Sequence, residues 1–475
     1  MTSSTLRTPA PERLRDARHL PFVVGALALV TLGAFENRAT TAVLPTVAER
    51  LDGLDLFGAA AAAPLVSSVI AMVVAGRWCD RRGPAPALLT GMGVFAAAQL
   101  AMAAAPSIGV FVAGRVAAGV AEALLDIALT VMVARLLPAA LRPAMFGALA
   151  TAWVLPSLLG PPVAGLIAEH LGWRTVFAAA LVLMVPAIAC LVPSLRRLGP
   201  PVHDSAGEGD DATGGRAAVA SAVLVTVGLA ALALGGPAAT GTTARSAGAL
   251  AVVAGVALIA LGARRVLPRG TLRLQAGLPA TVALRGAQAA AFAGAGAFIP
   301  LMLTQIHGLG PSVAGASLTI TGVFWAAGSQ LNGTRLVQER TTTVGRMRVS
   351  FALIAAGIVG PVLVALDVLP VWLGLTVWAL AGTGMGIGSP TLANHVLTLA
   401  PPDAQGRLSG AAMLSATVAQ AVYVALAGAA LAVGTAASLT LAAILAVPAG
   451  IAMGGAALVG RLDPAVSPAV SPAGR

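Results

Sequence analysis

Apolar runs of about 20 residues, the length a helix needs to cross a bilayer, recur along the whole chain and are separated by short polar breaks. They predict spanning helices at roughly 21–46, 57–76, 86–105, 108–134, 144–168, 174–195, 217–238, 246–263, 278–304, 311–331, 349–366, 370–398, 408–433 and 437–459. About fourteen crossings put both termini on one side of the membrane. Arg placement tests that count. With both termini inside, inner segments hold 23 of the 29 basic residues, outer loops hold only Arg50, Arg174 and Arg245, and spans hold Arg38, Arg115 and Arg285. This is the positive-inside pattern, and losing one span would scramble it.

The pattern predicts an all-α polytopic membrane protein built from two six-helix bundles with two extra helices between them. A cytoplasmic tail at about 1–20 leads into an N-terminal bundle at about 21–195, and a second bundle follows at about 267–460. Between them, a polar stretch at about 196–216, carrying Asp204, Glu208, Asp210 and Asp211, reads as a cytoplasmic linker. The accessory pair occupies about 217–266, and a C-terminal cytoplasmic tail covers about 461–475.

Composition narrows the function classes. The chain is 58% apolar and 10% charged, against about 45–50% and about 25% in soluble domains. A soluble enzyme, a disordered chain and a nucleic-acid-binding domain are excluded. The net charge of +11 comes from the loop Arg clusters and signals no nucleic-acid partner. All 29 basic residues are Arg, which reads as a GC-rich bacterial source and places the protein in a bacterial plasma membrane. Cys79 and Cys190 fall near the inner side, so no disulfide framework is implied. The five His are dispersed without metal-ligand spacing, and no cofactor or metal is expected.

Several motifs resemble those of the major facilitator superfamily. After the second span, Gly76-Arg77-Trp78-Cys79-Asp80-Arg81-Arg82-Gly83 is similar to that family's signature loop, departing from it at Pro84 and Ala85. Here Gly allows a tight turn and close helix approach, while Asp80 can cap a helix end and pair with Arg across the bundle, so that Gly76, Asp80, Arg81 and Gly83 are expected to form a conformational-switch loop. In the fourth span, Arg115 and Gly119 match an Arg-x-x-x-Gly motif. In the fifth, Gly160-Pro161-Pro162-Val163-Ala164-Gly165 resembles the Gly-Pro-x-x-Gly-Gly motif of exporters, with Ala164 at one glycine position. Glu36, nine residues before Pro45, resembles the acidic position of the drug/proton antiporters. The fourteen-span count is similar to one branch of those antiporters. The resemblance implies a proton-coupled exporter of a small amphipathic compound, working as a monomer by alternating access, with protons, substrate and the lipid bilayer as its partners.

Ionisable groups inside a bilayer cost roughly 2.5–3.5 kcal/mol each at a helix centre and are functional by default. Six fall within spans: Glu36, Arg38, Arg115, Glu122, Asp126 and Arg285. Positions 115, 119, 122 and 126 share one helical face. Such a stripe cannot face lipid and should line a central cavity. Glu122 and Asp126 lie one turn apart, and two such close carboxylates disfavour double ionisation, so one should hold a proton readily. Together with Glu36 they are the expected proton-coupling acids. Arg115 is expected to hold their geometry. Glu36 and Arg38 differ by about 200° and cannot both face the cavity; Glu36 is expected there, with Arg38 snorkelling outward or pairing between helices. Arg285 is the one charge buried in the second bundle, facing substrate or a carboxylate of the first. Gln288, Gln305, Asn394 and His395 are lower-ranked cavity candidates, each as readily an interhelical hydrogen bond. Alternative functions are a lipid or lipid-linked precursor translocator, a metabolite importer, and, from a different class, a polytopic membrane enzyme or sensor.

Overall fold

The computed structural model describes residues 14–16, 18–138, 141–195, 197, 211–235, 242–401, 405–433 and 437–463. The first half comprises α1 (Leu20–Arg50), α2 (Phe57–Arg82), α3 (Pro84–Ala103), α4 (Ile108–Leu136), α5 (Arg142–Thr151), α6 (Val154–His170) and α7 (Trp173–Leu195). An accessory hairpin, α8 (Asp211–Gly235) and α9 (Thr242–Val266), follows. The second half holds α10 (Leu278–Gln305), α11 (Pro311–Gly333), α12 (Arg335–Arg340), α13 (Thr343–Ala365), α14 (Val371–Leu399), α15 (Gln405–Val433) and α16 (Ala437–Leu458). Among the described residues, ten helices are long and apolar enough to cross a membrane. The other four expected spans fall on α5–α6, α8, α9 and α11, which are also helical. The chain is thus all-helical where described and built for multiple passes.

Local sequence explains several boundaries. Ser107 caps α4 by accepting from the Val110 amide, and Thr342 caps α13 by accepting from the Gly345 amide at 3.0 Å. Gly83 joins α2 to α3 with φ of +78°, a conformation other residues adopt only with strain. The expected fifth span at 144–168 is broken into two helices. Pro156 lacks the amide that would bond the Ala152 carbonyl, and its ring crowds that turn, so the helix interrupts at residues 152–153. Helix α8 begins inside the stretch expected to be linker; positions 196 and 198–210 of that linker, positions 1–13 and 17 of the first tail and positions 464–475 of the second lie outside the described residues.

Call the end where α1 begins the entry face, and the opposite end the far face. The two halves approach closely at the far face. Gly58 of α2 meets Gly428 of α15 backbone to backbone, and Gly165 of α6 meets Pro311 and Ser312 of α11. A Cβ on any of these glycines would collide with backbone, so the absence of a side chain permits the contact. Phe57 packs on Phe298 across the seam at 5.7 Å between ring centres. Glu169 at the end of α6 accepts from the Ser312 amide at 3.0 Å and from its hydroxyl at 2.7 Å. Helix α8 packs against both α2 and α15, so the accessory hairpin straddles the seam on one side.

Candidate functional site

Helix α4 is unbroken from Ile108 to Leu136, so its charged stripe keeps the register that the spacing predicts. Arg115 is buried and points at α1. Its Nη1 donates to Glu36 Oε1 at 3.0 Å, and its Nε donates to the Ala60 carbonyl of α2 at 3.4 Å. Thr40, one turn after Glu36, donates to the same Oε1 at 3.0 Å. Glu36 Oε2 is buried and has no hydrogen-bond partner. Gly119 faces α2, where a Cβ would strike the Pro64 carbonyl and Ser67 Oγ, and this close approach is what brings Ala60 and Arg115 together.

Glu36 was expected in the cavity. Instead it is 2% exposed, sealed between α1, α2 and α4 by Arg115 and Thr40. Pairing explains the difference: a buried carboxylate is tolerated when a guanidinium and a hydroxyl satisfy it. Further along the stripe the environment opens. Glu122 is half-buried and within electrostatic reach of Glu36, Arg115 and Asp126. Asp126 is exposed, as is Thr130 one turn on. The stripe therefore runs from a sealed ion pair through a half-buried acid to an open one, over about 17 Å at 1.5 Å per residue. Glu122 therefore lies between the Glu36–Arg115 pair and Asp126, with Arg115 the guanidinium within its electrostatic reach.

The remaining candidates scatter. Arg38 packs its Cβ against Gly160 of α6, and its buried Nε has no hydrogen-bond partner, so neither snorkelling nor the expected interhelical pairing is seen among the described residues. Arg285 of α10 donates to Ser389 Oγ of α14 at 2.7 Å and to the Ser389 carbonyl at 3.3 Å, with no carboxylate partner among the described residues. The polar candidates of the second half do not converge. Gln288 is buried and donates to Ser350 Oγ of α13 at 3.1 Å, because the small Gly388 and Ser350 let its amide reach between α13 and α14. His395 contacts the Leu462 carbonyl at 3.2 Å beyond α16, Asn394 is exposed beside it, and Gln305 is exposed at the far end of α10. Pro161 lies against Gly315 of α11, so the exporter-type stretch Gly160–Gly165 forms part of the seam between halves. In the switch loop, Gly76 has open space and Arg81 is exposed. The side chain of Asp80 lies outside the described residues.

Thr40 and Ser389 were missed from sequence alone. Thr40 had a signal, lying four residues from a buried acid on the same helical face. For Ser389 only the fold supplies one, because it is 104 positions from Arg285.

Comparisons with known proteins agree with this architecture. A family profile described as Major Facilitator Superfamily matches residues 26–424. An uncharacterized MFS-type transporter of Mycobacterium tuberculosis is 34% identical over 134 residues, which is 28% of this chain and 23% of that protein. A probable multidrug-efflux transporter of the same organism is 32% identical over 164 residues, 34% of this chain and 35% of its own length. The chain thus aligns with about a quarter to a third of the curated relatives it matches. Among solved structures, the POT family transporter PepTSo shares the fold with a TM-score of 0.66 at 16% identity, covering 95% of this chain and 98% of that one. A POT family transporter in complex with 5-aminolevulinic acid gives 0.68 at 11% identity, covering 93% and 96%.

Proposed function

The chain belongs to the Major Facilitator Superfamily, and from that premise we propose that it is a proton-coupled exporter of a small amphipathic compound. Membership makes it a multi-pass membrane transporter of small molecules rather than an enzyme. The observation that carries the finer reading is the graded stripe on α4, where the sealed Glu36–Arg115 pair leads through half-buried Glu122 to exposed Asp126. In this reading the chain makes fourteen crossings, with α5 and α6 together forming the fifth. The entry face is cytoplasmic in a bacterial plasma membrane, an orientation that the Arg bias supports, and the protein acts as a monomer.

The cycle uses the seam. With the far face closed by Gly58–Gly428 and Gly165–Ser312, Asp126 and Glu122 open toward the cytoplasm. Proton release there readies the acids for substrate, and the loaded protein rocks about its midplane to open the far face. Reprotonation from outside displaces substrate and closes that face again. Glu36 acts through the stripe, since its free oxygen and charge bias Glu122, while Arg115 holds the carboxylates in place. The energetics suffice. One proton moving down 100 mV supplies about 2.3 kcal/mol and one pH unit about 1.4 kcal/mol, enough for a substrate gradient of several hundred-fold. The multidrug-efflux naming of a relative supports the direction and substrate class.

The test is uphill uptake of a drug and metabolite panel into everted vesicles prepared from an efflux-deficient host, where export from the cell reads as accumulation inside. Uphill transport should stop with an uncoupler and in Glu122→Gln/Asp126→Asn. Undiminished uphill transport by that double variant would remove the coupling assignment.

A further inference from the structure

At its entry-face end α2 carries a second charged feature, which includes Arg77 and Arg81 of the switch loop and is separate from the proton-coupling stripe of α4. Val74, Arg77, Trp78, Arg81 and Arg82 recur at helical spacing and form one face of the helix. With Val219 of α8 they line a cavity of about 410 Å³. Val74 is 44% exposed, Arg81 and Arg82 are exposed, and Arg77 is half-buried. Trp78 Nε1 is buried and has no hydrogen-bond partner.

The vertical order of these groups is that of a phospholipid. From Val74 to Arg82 the helix rises about 12 Å. The apolar Val74 lies at the deep end, Arg77 and Trp78 come next, and the Arg81 and Arg82 guanidinium groups lie at the shallow end. Tryptophan favours the boundary between hydrocarbon and headgroup, and clustered Arg at a membrane surface attracts anionic lipid. Guanidinium also matches phosphate geometry with paired donors.

We propose that this cavity, at the joint between α2 and the first accessory helix, is a binding site for an anionic phospholipid. The headgroup phosphate is held by Arg81 and Arg82, Arg77 donates to the ester region beside the Trp78 ring, and an acyl chain leaves past Val74 and Val219. The occupant bridges the first bundle and the accessory hairpin, which gives that hairpin a role in tying the transporter to membrane composition. The inference needs only that the chain spans a membrane and is independent of proton coupling.

The experiment uses the full chain in phosphatidylcholine nanodiscs doped with spin-labelled phosphatidylglycerol or spin-labelled phosphatidylcholine, reading the motionally restricted fraction by electron paramagnetic resonance. The wild type should retain phosphatidylglycerol at least about tenfold better than phosphatidylcholine, with each Arg removed weakening retention about fivefold. R77Q/R81Q/R82Q should lose the preference. V219W, which fills the cavity from α8 with every charge intact, should lose it too. If the triple variant fails to fold, R77Q and R82Q singly carry the test. Equal retention of the two lipids by the wild type would overturn the proposal. So would an undiminished preference in V219W, which would mean surface charge without a built site. Loss of the preference in millimolar inorganic phosphate would assign the cavity to a soluble anion and overturn the lipid assignment.

Discussion

Replacing Arg115 by Met separates what the buried ion pair does for the fold from what it does for transport. The Glu36 and Arg115 side chains are 1% and 5% exposed and meet at 3.0 Å. At an effective dielectric of about 20 their attraction is roughly 5 kcal/mol, offset largely by the cost of removing both from water. Removing the cation alone leaves Glu36 sealed with only Thr40 as partner, and breaking one side of such a pair costs about 3–5 kcal/mol. Replacing both partners, Glu36→Leu with Arg115→Met, removes both desolvation penalties and should return stability to within about 1–2 kcal/mol of the wild type. Equilibrium unfolding in mixed micelles of dodecyl maltoside and dodecyl sulfate, run as a double-mutant cycle, reads the coupling directly. The cycle should give a coupling of at least about 2 kcal/mol, and the double variant should be folded but unable to transport uphill. Additive losses, or a single variant within about 0.5 kcal/mol of wild type, would refute the reasoning that the pair is sealed and interdependent.

Two further outcomes follow from packing. Gly58→Leu places a side chain against the Gly428 backbone, so it should hold the far face open; a cysteine introduced beside the seam should then react faster with an impermeant maleimide added from that side. Trp378 is fully buried and stacks on Phe292 with ring centres 5.4 Å apart, so Trp378→Ala should cost about 3–5 kcal/mol, read in the same micellar unfolding assay.

Much of the architecture could be read from the chain because bilayer length and Arg bias act over whole segments. The stripe on α4 was equally readable, since charge within an apolar helix marks a face that periodicity can register. Where all sides of a helix are apolar, lipid-facing and core-facing positions look alike, and the sequence carries no direction. That is why Gln288 could be placed within α10 but not aimed at Ser350, and why Gly58 and Gly428, 370 positions apart, showed no sign of meeting. Glu36 illustrates the same limit. Its acidity marked it as important, but whether it would face open space or Arg115 depended on how closely Gly119 lets α4 approach α2. The interruption at residues 152–153 had a local cause in Pro156 that the apolar run concealed.

In the proposed cycle the protonation of Glu122 and Asp126 decides which face is open. Double electron–electron resonance between spin labels on Asp55→Cys and Asp367→Cys, in a background with Cys79 and Cys190 replaced by Ala, reads this. Both label sites are exposed on far-face loops of opposite halves. In the wild type the label separation should be short at acid pH and lengthen at alkaline pH, while Glu122→Gln/Asp126→Asn, which mimics the protonated acids, should stay short throughout. A pH-dependent separation that persists unchanged in the double variant would contradict the claim.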